Sequence, residues 1–196
     1  MKEKKEGPPG RTKIMKALSA LIKQKDFHSI TTAEIAFQAG VTEGLIYKYF
    51  KDKRDLLYTV LEEYFETFRE YVKKEVADRE TSIEKLEVVI RANIESWSDN
   101  RVFARILLLE VRSSPDYYKS RAYELVKKYY RTIVRIIQDG MEKGEIRGDI
   151  KPEILTKAIL GAIEHSCLGD IIFERSIDAD LICDNICKTV FKGVMP

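Results

Sequence analysis

The sequence predicts an all-α fold of about nine helices: a small three-helix head, a connecting helix and a larger helical body. Three observations point there. Apolar residues recur at helical spacing in nearly every segment, and no stretch alternates as a half-buried strand does. Glycines, prolines and Thr-x-x-Glu pairs fall between those segments, where caps and stops belong. The composition, 44% hydrophobic and 34% charged over 196 residues, is that of a folded chain with a sizeable core.

Taken in order, Ile14, Ala17, Leu18, Leu21 and Ile22 repeat at i, i+3, i+4, i+7 and i+8 after the GPPG breaker and predict the first helix. Thr31, with Glu34 three residues on, is a capping box opening the second helix. Its apolar face is Ile35, Ala36 and Ala39, and Gly40 stops it. Thr42 caps a short third helix, TEGLIYKYF. Asp52 caps the connecting helix, with Leu56, Leu57, Val60, Leu61, Tyr64, Phe68 and Tyr71 along its stripe. Thr81 and Glu84 make a second capping box, whose helix runs to about Trp97. Residues 101–112 are apolar nearly all round and should be buried. A long helix is expected over about residues 115–143, stopping at Gly144. Another, with Pro152 in its first turn, runs to about Leu168, and the last covers about residues 178–194.

Charge and chemistry narrow the function. Residues 1–55 hold twelve Lys/Arg against seven Asp/Glu, a surplus of +5, so a chain of net charge +2 leaves −3 for the rest. A basic end on an acidic body suits an anionic partner. No apolar run approaches the roughly 20 residues of a membrane span, and MKEKKEGPPG has no apolar signal region behind it, so no membrane association and a cytoplasmic location are expected. Three cysteines, Cys167, Cys183 and Cys187, with His28 and His165 as the two imidazoles, imply neither a disulfide framework nor a metal site. No Ser–His–Asp, metal-ligand or Gly-rich phosphate pattern stands out, so no enzyme is expected.

The two short helices joined around Gly40 and Val41 read ITTAEIAFQAGVTEGLIYKYF, a helix-turn-helix in which the second helix enters the DNA major groove. Leu45, Ile46 and Phe50 would anchor that helix on Ile35, Ala36 and the first helix, and Gly44 would let the backbone approach DNA closely. Over residues 11–57 the stretch TTAEIAFQAGVTEGLIYKYFKDKRDLL resembles the DNA-binding head of the TetR family of bacterial repressors, with the pattern T-x-x-x-IA-x-x-AGV-[ST]-x-G-x-[IL]-Y-x-[YH]-F-x-x-K-x-x-L matched almost throughout. The resemblance implies a helix-turn-helix DNA-binding domain over residues 1–55 and a ligand-binding and dimerisation domain over residues 56–196. It implies that Thr31 or Thr32 donates to a phosphate and that Thr42, Glu43 and Gly44 open the recognition helix. Tyr47 and Tyr49 would contact phosphates, Lys48 a phosphate or base, and Lys53 would begin a helix whose amides also favour a phosphate. The basic tail, Lys2, Lys4, Lys5 and Arg11, would add contacts.

The body carries two further expectations. Ala158, Gly161, Ala162 and His165 form a small-residue stripe, and Cys183, Ile186, Cys187 and Val190 form a stripe on the last helix. In the family two such helices pair with their mates, so a homodimer is implied; ordinary intrachain core is the alternative. The stretch LLLEVRSSPDYYKSRAYELVKKYYRTIVRIIQDGMEKGEIRGDIKPE is similar to the family's regulators of fatty-acid degradation, whose effectors are long-chain acyl-CoA thioesters. That implies an apolar site among Phe65, Phe68, Trp97, Phe103, Leu107, Tyr130 and Ile133, with Arg105 or Arg112 meeting phosphates. Glu110, on an apolar side, needs Arg105, Arg112 or a ligand as partner. No other cofactor is implied. The alternative within the same fold is a multidrug-sensing repressor of an efflux gene, with Glu110 or Glu164 facing a cationic ligand.

Overall fold

The computed structural model describes residues 8–195. Lys2, Lys4 and Lys5 of the basic tail lie outside the described residues. The chain forms two compact units, one of the described residues up to Tyr64 with Ser120–Ala122, the other of Phe65–Lys119 with the chain from Tyr123 onward. Among the described residues every regular element is helical, and no helix is long and apolar enough to cross a membrane.

In the first unit, α1 (Pro9–Leu21) starts on a proline, which needs no N–H in a first turn, and buries Ile14, Met15, Ala17 and Leu18. A 3₁₀ turn over Phe27–Ser29 leads to α2 (Thr32–Ala39). The Thr31–Glu34 capping box is formed, and Gly40 ends the helix at φ +64°, a left-handed conformation that glycine adopts without strain. The third helix, α3 (Glu43–Tyr49), turns Ile46 inward, with Phe50 buried just beyond it. Thr42 occupies the cap position of α3 with extended backbone but makes no side-chain cap, contrary to expectation; its own carbonyl receives the Leu45 N–H at 3.0 Å. Asp52 does cap α4 (Lys53–Ala77), accepting from the Asp55 N–H at 2.8 Å.

The second unit is built around α5 (Ser82–Asp99), opened by the Thr81–Glu84 box and burying Leu86, Val89, Ile90 and Ile94 completely. It packs with α8 (Pro152–Ile172) and α9 (Ala179–Val194). Two sequence expectations fail here. Residues 101–112 are not one buried helix: α6 (Arg101–Arg105) passes into a π turn over Ile106–Glu110 and a 3₁₀ turn over Val111–Ser113, which leaves Leu109 exposed. The long helix expected from 115 begins only as α7 (Arg121–Glu142). Ser114, preceding Pro115, is held extended at φ −99°, ψ 121°, and the chain turns through 3₁₀ geometry at Tyr117–Lys119 before helix resumes.

Candidate nucleic-acid interface and body cavity

The DNA-facing candidates of the first unit sit on the first turns of α2 and α3. Their hydroxyls are already engaged. Thr31 Oγ1 accepts from the Glu34 N–H at 3.2 Å, and Glu34 Oε2 accepts from the Thr31 N–H at 2.8 Å. Thr32 Oγ1 donates to Glu43 Oε2 at 2.8 Å and receives the Tyr47 hydroxyl at 3.5 Å. A chain of three polar side chains therefore links the two helices on their exposed side. Tyr47, Lys48, Thr42, Glu43 and Gly44 are exposed and Tyr49 is half-buried. Nothing lies near Gly44 except Thr42 Oγ1, at 4.0 Å from where a Cβ would stand, so that surface is open.

Lys53 is the first residue of α4. Its ammonium donates to the carbonyls of Phe27, His28 and Ile30 at 2.9, 3.3 and 2.7 Å and lies 4.5 Å from the centre of the Phe27 ring. The side chain thus ties the start of α4 to the 3₁₀ turn before α2. Lys25 bonds the Glu34 carboxylate, which with the Thr31 hydrogen bonds holds its pKa down to about 2.

In the second unit the candidate effector residues separate into three groups. Trp97 and Ile133 are part of the packed core, Phe68 lies partly buried against it, Phe103 is buried, and Leu107 is half-buried. Tyr130 donates to the Glu153 carbonyl at 3.0 Å. The arginines expected at phosphates hold carboxylates instead: Arg112 grips Glu164 with two bonds of 2.7 and 3.0 Å, and Arg105 reaches Glu174 at 3.4 Å. Glu110 is half-buried rather than enclosed.

Two features were not anticipated. Asn93, buried in the apolar register of α5, donates to Val89 O at 2.7 Å and to the Tyr129 hydroxyl at 2.6 Å, and burial pushes the Tyr129 pKa up. Tyr129 packs edge-on to Phe68, 5.4 Å between centroids. Tyr129 is in register with Leu125 and Ile136 on α7, but Tyr130 is spaced equally well from Val126, Ile133 and Ile137, so the sequence does not distinguish them. Beside it is a cavity of about 280 Å³ between α4, α5 and α7. Val72, Val76 and Ile136 form its apolar floor; Arg69, Lys73, Lys85 and Arg135 stand around it, with Glu70 and Asp139.

The dimer candidates also divide. Ala158, Gly161 and His165 are exposed and Ala162 half-buried, while the opposite side of α8 buries Leu155, Ile159, Ile163 and Cys167. On α9, Cys183 and Ile186 are in the chain's own core, the intrachain alternative, because that side of the helix faces α5; Cys187 and Val190 are half-buried. The Cys183 and Cys187 sulfurs are 4.0 Å apart, and the hydrogen bond between them lowers the Cys183 pKa and raises that of Cys187. Among the described residues no group of three or more His, Cys, Asp or Glu is placed to hold a metal ion.

Comparison with known proteins covers both units. Residues 14–60 match the model of bacterial regulatory proteins of the tetR family, and residues 61–193 match that of the YsiA-like protein C-terminal region. The chain is 26% identical over 194 residues to the fatty acid metabolism regulator protein of Bacillus subtilis (strain 168), covering 99% of this chain and 98% of that one. It resembles the crystal structure of the transcriptional regulator FadR from Bacillus subtilis in complex with stearoyl-CoA, with TM-score 0.84 and 25% identity over 93% of this chain and 98% of that chain. The fatty acid degradation regulator FadR from Bacillus halodurans shares the fold, with TM-score 0.85 and 21% identity over 96% and 98% of the two chains.

Proposed function

The chain belongs to the TetR family of bacterial regulatory proteins, and we propose that it is a dimeric repressor, held on its operator by α2 and α3 and released by a long-chain acyl-CoA. Support for the effector comes from one observation above the rest: likeness along nearly the whole chain to a regulator solved with stearoyl-CoA. Residues 1–55 would be the DNA-binding domain and residues 56–196 the ligand-binding and dimerisation domain. On the DNA, Tyr47 and Tyr49 would meet phosphates together with the first turns of α2 (Thr31, Thr32) and α4 (Lys53), Lys48 a phosphate or a base, while Thr42 and Glu43 would face base edges and Gly44 would let the backbone come close. The exposed stripe of Ala158, Gly161 and His165, with half-buried Ala162, Cys187 and Val190, is the surface a second copy would cover.

A dimer of helix-turn-helix heads binds two half-sites about 34–36 Å apart. An effector shifts such a protein off DNA only by binding the released state more tightly than the DNA-bound one. Fluorescence anisotropy on DNA from upstream of the protein's own gene, at stated salt and titrated with stearoyl-CoA, tests both halves. Tight binding released by micromolar stearoyl-CoA, but not by stearate or CoA alone, is the expected result. Tight binding indifferent to stearoyl-CoA but released by a cationic dye would move the protein to the multidrug-sensing alternative.

A further inference from the structure

Several arginines of the second unit are taken up in ion pairs. Arg91, Arg105, Arg112, Arg147 and Arg175 each hold a carboxylate: Asp180, Glu174, Glu164, Asp149 and Asp170. Arg69, Lys73, Lys85 and Arg135 all border one cavity of about 280 Å³, and among the described residues none of the four is in an ion pair with a carboxylate. Arg69 and Lys73 stand at i and i+4 on α4, a like-charge pair that weakens a helix by a few tenths of a kcal/mol. Two carboxylates line the cavity, Glu70 and Asp139, and Glu145 lies within electrostatic reach of Lys85, so the cations remain in surplus.

The floor beneath them has the opposite character. Val72 and Ile136 are nearly inaccessible to solvent, and Tyr129 is held by Asn93 in the wall. Cations above an apolar floor suit a ligand that is anionic at one end and apolar at the other. The volume, worth about nine waters at roughly 30 Å³ each, admits a phosphate-bearing fragment and not a whole fatty-acyl thioester. We infer that this cavity is an anion site that receives a phosphorylated group of the effector. The inference rests on the acyl-CoA proposal for the identity of the phosphate's owner. Its location gives the ligand a direct hold on α4, since Arg69, Lys73, Val72 and Val76 all belong to that helix.

Isothermal titration of the full chain at low and moderate salt decides the matter, with stearoyl-CoA, CoA, inorganic phosphate and stearate as probes. The proteins are wild type, Arg69→Gln/Arg135→Gln, and Lys85→Gln as a second variant from another helix, each checked for an unchanged melting temperature. The expected result is a Kd for stearoyl-CoA raised at least tenfold in the double variant and several-fold in Lys85→Gln, a shallower salt dependence, and no change for stearate. CoA binding that wild type shows and the variants lose assigns the site to the nucleotide head; loss of phosphate binding alone assigns it to a free anion. Stearoyl-CoA binding equally tight in all three proteins overturns the inference and leaves the acyl-CoA proposal standing. Wild type that ignores stearoyl-CoA removes that proposal, and the CoA and phosphate arms then decide the cavity by themselves: no binding of either overturns it as well.

Discussion

Thr32 Oγ1 donates to Glu43 Oε2 across 2.8 Å, so the first turn of α2 holds the first turn of α3 through a carboxylate on the face assigned to DNA. A carboxylate there is favourable to the α3 N-terminus and unfavourable to phosphates. Among base edges it can accept from the cytosine amino group.

Glu43→Gln is therefore expected to bind arbitrary duplex several-fold more tightly and to lose preference at one base pair in each half-site, a discrimination of about 1–3 kcal/mol. Anisotropy on the operator and on duplexes changed at single positions reads both effects. A wild-type protein indifferent to every cytosine in the half-site would remove the base-reading role.

Tyr47 is 56% exposed, so Tyr47→Ala should alter folding stability by no more than about 0.5 kcal/mol. Loss of a hydrogen bond to a phosphate should weaken operator binding about tenfold, consistent with ~1.5 kcal/mol for a charge-assisted bond. Tyr47→Phe isolates the hydroxyl. Unchanged affinity in both variants would assign the ring to the surface alone.

Lys53→Met removes the donor shared by the Phe27, His28 and Ile30 carbonyls. The half-buried position accepts the methionine stem, so the loss is that of the bonds, about 2 kcal/mol. Thermal unfolding should report it as a lower Tm. If DNA affinity fell while Tm stayed, the lysine would be a phosphate ligand after all.

Glu34 titrates near pH 2 in the folded protein, against an ordinary value of 4.5, because Lys25 and the Thr31 hydrogen bonds favour its carboxylate. A lowered folded pKa adds stability that is whole above about pH 4.5 and disappears as pH falls to about 2. Glu34→Gln should melt below wild type at pH 7, and the gap should close between pH 4.5 and 2. A gap constant across that range would mean that the glutamine loses packing or capping geometry rather than charge.

A Cβ at Gly140 would stand 2.8 Å from both Ile146 Cδ1 and Ser82 Cβ. Alanine gains about 1 kcal/mol of helix propensity over glycine, whereas overpacking costs roughly 1–3 kcal/mol. The isoleucine tip can swing aside but the Ser82 Cβ cannot, so Gly140→Ala should lose about 1 kcal/mol in urea denaturation. A stabilised variant would show that α5 and the chain after α7 yield easily.

Most local cap signals in the sequence held, Thr42 excepted. Both capping boxes and the Asp52 cap lie within a few residues of their partners, and each formed as the spacing predicts. Longer links left no such trace. Arg105 and Arg112 find Glu174 and Glu164 at 69 and 52 residues' distance, and Lys53 finds its carbonyls 23 to 26 residues back. No periodicity encodes these pairs, so arginines that read as free phosphate ligands turned out to be occupied. Tyr129 was not legible either, because Tyr130 has equally good apolar spacing to Val126, Ile133 and Ile137. The end of α6 was not legible, because Leu107, Leu108 and Leu109 satisfy a helix of either pitch.

That π turn bears on how related chains should be aligned. A turn over Ile106–Glu110 that spans five residues instead of four carries one surplus position, so Val111–Ser113, which follow it, are displaced from where an unbroken α-helix would put them. A relative lacking one residue here would run as plain α-helix and present a different side chain to Glu164. Counting the length of this segment, residue by residue, thus separates relatives that keep the Arg112–Glu164 clasp from those that have no means of making it.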